Sequence, residues 1–101
     1  MDNAIDHRQS IDDVNRRRLY WHSRRGMWEL DLMLVPFFEN RFDALEAPMK
    51  EAYRQLLAQE DQDLFSWLMR RDIPADDTLG PIVLEIIRFA EQTHTGDVRP
   101  L

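Results

Sequence analysis

Six apolar residues late in the chain, Leu79, Ile82, Val83, Ile86, Ile87 and Ala90, recur at steps of three and four, the spacing that lines one face of an α-helix. A stripe this regular folds only by burying itself against other elements. Two more segments repeat it. Leu30, Met33, Leu34, Phe37 and Phe38 form one, and Met49, Ala52, Tyr53, Leu56 and Leu57 form the other. The strand-like run is Leu32 to Phe38, and Pro36 inside it argues against a central strand. The expected fold is all-α, a compact bundle of five helices.

The helix ends can be placed from capping residues and prolines. The first helix spans roughly 11–23, opened by Ser10 with Asp13 three residues on, and its apolar side carries Ile11, Val14 and Trp21, with the stem of Arg18 between them. Gly26 ends it in a left-handed turn and leads into the second helix, roughly 27–41, which Pro36 is expected to kink. Glu29 would stand at the third position of that helix, facing its free amides. The third helix runs from about Pro48 to Gln59. Asp61 or Asp63 caps the fourth, which carries Leu64, Phe65, Trp67, Leu68 and Met69 and ends before Pro74. Asp77 or Thr78 caps the fifth, where Pro81 is tolerated in the first turn. Residues 10–92 form a single domain, with flexible ends at 1–9 and 93–101.

Composition removes several functions. With 101 residues the chain holds one modest core. It has no cysteine, so thiolate metal sites, thiol nucleophiles and disulfides are excluded. Its net charge of −6 disfavours nucleic-acid binding. That charge is uneven. Residues 8–25 carry six arginines against two aspartates, a local +4, while 26–101 carry seven basic and fifteen acidic residues, a local −8. A basic region on an acidic body steers docking onto an acidic patch, or it simply solvates the first helix. His7, His22 and His94 are too scattered for a metal triad or a base–nucleophile pair. Asp61-Gln62-Asp63 begins like a calcium loop but lacks the glycine and later ligands, and the three glycines form no phosphate cradle. No catalytic, metal-binding or cofactor-binding residue is therefore assigned. The polar N-terminus and an apolar run of only seven residues predict no leader and no membrane insertion, hence a cytoplasmic protein.

The densest chemistry is the segment Arg24-Arg25-Gly26-Met27-Trp28-Glu29-Leu30-Asp31, at the joint between the first two helices. Arg25 and Glu29 stand four apart, so on a helix they share a face. Two readings stay open there: a junction decorated by a surface ion pair, and a contact surface where glycine lets another molecule approach closely. Trp28 is likewise either a cover for the end of the bundle or an exposed anchor.

The run Arg25-Gly26-Met27-Trp28-Glu29-Leu30-Asp31, followed by Pro36-Phe37-Phe38, resembles the signature of the SdhE family of flavinylation factors, whose pattern Arg-Gly-x-x-Glu is met by Arg25, Gly26 and Glu29. Asp63-Leu64-Phe65-Ser66-Trp67-Leu68 and the Pro74-Ala75-Asp76 turn extend the likeness over about residues 15–92. The first nine residues and Gly80-Pro81 depart from it without touching the motif. The resemblance implies a non-enzymatic, monomeric assembly factor. It would bind the flavoprotein subunit of succinate dehydrogenase, and possibly of fumarate reductase, and promote covalent attachment of FAD held by that subunit. The partner-binding residues it implies are Arg24, Arg25, Gly26, Trp28 and Glu29. Arg25 would be a planar donor to the partner, with Glu29 orienting it or pairing with a partner cation. The alternative within the resemblance is the antitoxin of a bacterial toxin pair.

Overall fold

A computed structural model describes the backbone of residues 14–96 and the side chains of 14–93. Helix α1 occupies residues 14–23. It is followed by α2 (Trp28–Arg41), a 3-10 turn (Phe42–Ala44), α3 (Ala47–Leu57), α4 (Asp61–Leu68) and α5 (Leu79–Gly96). Among the described residues there is no strand, so the protein is an all-α bundle of five helices, as the stripes predict. The Ser10–Asp13 capping box and the 1–9 segment lie outside the described residues.

Helix α2 is the centre. It packs on α4 and α5, while α3 packs on α5. Leu30, Leu34, Phe37 and Phe38 of α2 are buried, together with Ala52, Tyr53, Leu56 and Leu57 of α3, Leu64 and Leu68 of α4, and Leu79, Ile82, Val83, Ile86, Ile87 and Phe89 of α5. The three stripes of the sequence are thus the three main walls of one core. Phe65, Trp67, Met33 and Met49 pack against it while partly exposed. Phe89, which the stripe of α5 omits, is buried with its ring edge-on to Phe37 at 5.9 Å. Pro36 does not interrupt α2, which runs as one helix to Arg41. Its carbonyl receives the side-chain amide of Asn40 at 2.8 Å.

Two expectations about element ends are corrected. The cap residue of α4 is Glu60, which makes no side-chain cap bond, and Asp61 sits in the first helical turn. Asp76 accepts the Thr78 amide at 2.8 Å just before α5, so it shares in a turn assigned to Asp77 or Thr78. Helix α5 runs to Gly96.

The inward side of α1 is also corrected. Val14 and Trp21 are 42% and 62% exposed. The helix docks through Leu19, Tyr20 and Ser23 instead. Tyr20 meets Phe38 with ring centroids 6.1 Å apart, and the fully buried Ser23 hydroxyl lies 2.5 Å from the Tyr53 phenol oxygen while donating to Leu19 O at 2.8 Å. The Tyr53 hydroxyl also lies 3.5 Å from Leu34 O, which it can reach as a donor. A buried serine carries no hydrophobic signal, so periodicity alone rotates this helix the wrong way.

Tyr53 is the hub of the core, with Phe37, Phe38 and Phe42 ring centroids at 5.8, 6.0 and 5.6 Å. Burial pushes its phenol well above the usual tyrosine range, because the charged form would lose its water. The folded state therefore holds the proton where the unfolded chain, titrating near pH 10, releases it. Stability from this group is complete below that pH and falls as pH rises. Tyr53→Phe should cost about 1 kcal/mol at pH 7 in urea unfolding. Above about pH 10 the wild type should lose its advantage at up to roughly 1.4 kcal/mol per pH unit relative to the variant.

Candidate functional site

The junction between α1 and α2 is built by one left-handed residue. Gly26 has φ +84°, and a Cβ placed there would meet nothing within 4 Å. Glycine is required by the backbone turn and not by crowding within the chain. The Arg25 side chain, just before the turn, reaches the ends of α3 and α4, and α2 starts two residues after Gly26.

Arg25 ties three helix ends together. Its Nε donates to Asp61 Oδ1 at 2.8 Å, Nη1 to His22 O and Leu57 O at 2.9 Å each, and Nη2 to Gln59 O at 2.8 Å. Its backbone amide donates to Asp31 Oδ1 at 2.6 Å. His22 O and Leu57 O belong to the last turns of α1 and α3, where carbonyls lack intrahelical donors and the dipole is negative. Asp61 stands in the first turn of α4, where the dipole favours a carboxylate. One cation thus closes two helix C-termini and pairs with an anion at a third helix's N-terminus. Its side chain is only 15% exposed. A guanidinium has five N–H groups, and four of them are occupied here.

This corrects the expected geometry of the motif. Arg25 lies between helices and is bonded to Asp61, not to Glu29. Glu29 is exposed at the second helical position of α2, with no hydrogen bond or ion pair to any described residue. Trp28 is 69% exposed, which settles its two readings in favour of the exposed side chain. Gly26 and Arg24 are exposed beside it, and the Arg24 guanidinium lies 5.7 Å from the Trp21 ring centroid. Leu32, one turn beyond Trp28 on α2, is 44% exposed. The junction therefore offers Arg24, Gly26, Trp28 and Glu29 outward, over a base made by Arg25, Asp31 and Asp61.

Sequence reasoning passed over Asp31 and Asp61 in these roles. Asp31 was visible as the carboxylate six residues past Arg25. Asp61 had no such signal, because its partner lies 36 positions away. Of the basic residues on α1, Arg16 is held in an exposed pair, with two bonds to Asp43 at 2.9 and 3.0 Å and its guanidinium 5.0 Å from the Phe38 ring centroid. That contact holds the Asp43 carboxyl below its ordinary range. Among the described residues no group of His, Asp or Glu could hold a metal ion, and no helix is long and apolar enough to cross a membrane. A groove lies along α5 and the α4–α5 connection, around Ile73 and Leu84, and includes none of the motif residues.

Residues 17–90 match the family model described as the flavinator of succinate dehydrogenase. The FAD assembly factor SdhE of Pseudomonas aeruginosa is 47% identical over 76 residues, covering 75% of this chain and 90% of that protein. Those of Pseudomonas syringae pv. syringae and Pseudomonas putida are 47% and 43% identical over 77 residues, covering 76% of this chain and 92% of theirs. None of these three relatives carries the antitoxin name of the alternative reading. The family model runs from within α1 to within α5 and includes the whole of the junction, and on that match the chain belongs to the family of succinate dehydrogenase flavinators.

Proposed function

We propose that this chain is an assembly factor that docks on the flavoprotein subunit of succinate dehydrogenase and promotes covalent attachment of the FAD held there. The fumarate reductase flavoprotein, of the same chemistry, is a second target. The observation that carries the reading is the junction. An exposed glycine turn, with Trp28 and Glu29 beside it, stands on a base fixed by five hydrogen bonds of Arg25. Rigid display of an aromatic anchor and a charge is what a docking surface needs, since little entropy is then lost on binding. The exposed arginines Arg17, Arg18 and Arg24 add positive charge near the same edge and favour approach to an acidic patch.

The helper needs no nucleophile of its own in this mechanism. By binding one arrangement of the subunit's domains better than the others, it raises the population in which the subunit's own residues and FAD can react. The FAD stays with the partner, and the chain itself is not the catalyst.

Cells lacking the chain should make the flavoprotein subunit with little covalent flavin. In-gel flavin fluorescence of the denatured subunit measures this, because only bonded flavin survives denaturation. The intact chain should restore the signal. Normal covalent flavin in the deletion strain, with no other flavinylation factor present, overturns the reading.

A further inference from the structure

We infer that Asp61 is a positioning residue of the docking surface: it holds Arg25 across the ends of α1 and α3, and through Arg25 fixes the backbone that displays Gly26, Trp28 and Glu29. The inference rests on the docking reading above and moves the action of the motif arginine from contact to support. Arg25 has four of its five donors engaged within the chain, at 2.8 to 2.9 Å, and so offers a partner little. Three of its acceptors are backbone carbonyls, reached through Nη1 and Nη2. Asp61 Oδ1, on the Nε side, is the one charged acceptor, so it forms the strongest of the four bonds and balances the charge of the guanidinium. Asp61 is itself held on the first turn of α4, whose Leu64 and Leu68 are buried in the core. A chain of rigid parts therefore runs from the core to the turn at Gly26. The α3–α4 connection, which supplies Gln59 O, and the first turn of α4, which supplies Asp61, become part of the functional site although no residue of the Arg-Gly-x-x-Glu pattern lies in either.

The test is the dissociation constant of Asp61→Ala for the isolated flavoprotein subunit, measured at a temperature where circular dichroism shows the variant fully folded. A loss of about 10-fold is expected, as a surface loosened by a fraction of an ångström loses much of its fit. Asp61→Glu, which can still reach the guanidinium, should recover part of it. Amide exchange reads the same device without a partner: the Arg25 and Asp31 amides, which donate to Asp31 Oδ1 and Met27 O, should exchange faster in Asp61→Ala while those of α5 do not. Binding within twofold of wild type by Asp61→Ala overturns the positioning role. Unchanged exchange at the junction overturns it too. Failure of the wild-type chain to bind the subunit would instead strike the docking reading, and the exchange arm would still decide whether Asp61 fixes the turn.

Discussion

Gly26→Arg should weaken binding to the flavoprotein subunit at least about 100-fold, a loss of roughly 2.7 kcal/mol or more. Two effects combine. A non-glycine residue at φ +84° carries strain of about 1–2 kcal/mol. The larger effect is bulk. The Cβ points into open space, so a long cationic side chain does not disturb the bundle and projects where a partner would sit. Circular dichroism should therefore stay near native while titration calorimetry loses its signal. Gly26→Ala separates the two, since it has the same strain and almost no reach. It should retain most of the affinity at a lower melting temperature. Native affinity in Gly26→Arg would remove this turn from the interface, whatever happened to stability.

The bundle was legible because its information is local. Stripes on α2, α3 and α5 name most of the core, and proline, glycine and acidic residues bracket the helices within a few positions. The inward side of α1 is not legible from periodicity, because two of its inward residues, Tyr20 and Ser23, dock through an aromatic contact and a hydrogen bond that apolar counting does not register. The site divides in the same way. Gly26 and the exposed pair Trp28 and Glu29 could be read from a motif of neighbours. The role of Arg25 could not, because three of its four side-chain acceptors, a carboxylate and two carbonyls, lie more than thirty residues away. Helical spacing pointed to Glu29 as its partner, but Gly26 breaks the helix between them and sends the two side chains to different places. A long-range ion pair of this kind depends on how the residues after α1 meet the ends of α3 and α4, which no local rule contains.

Arg25→Ala should lower the stability of the fold by about 2–4 kcal/mol, far above the few tenths expected of a surface ion pair. The difference comes from what is left behind. Removing the side chain strands the carbonyl of Gln59 and those of His22 and Leu57 at two helix ends, and leaves Asp61 without its cation. The guanidinium is 15% exposed and Asp61 42%, so water repays part of this but not all. Arg25→Lys keeps the charge yet presents one compact ammonium in place of a fork that spans four acceptors, and should recover less than half of the loss. Because most of the effect is hydrogen bonding at short range, it should change little between low and moderate salt, whereas an exposed pair would be screened. Urea unfolding of the three proteins at two salt concentrations checks all of this together. A loss below about 0.5 kcal/mol, or one that vanishes in salt, would return Arg25 to the surface and remove the physical reason for treating Asp61 and the α3–α4 connection as parts of the site.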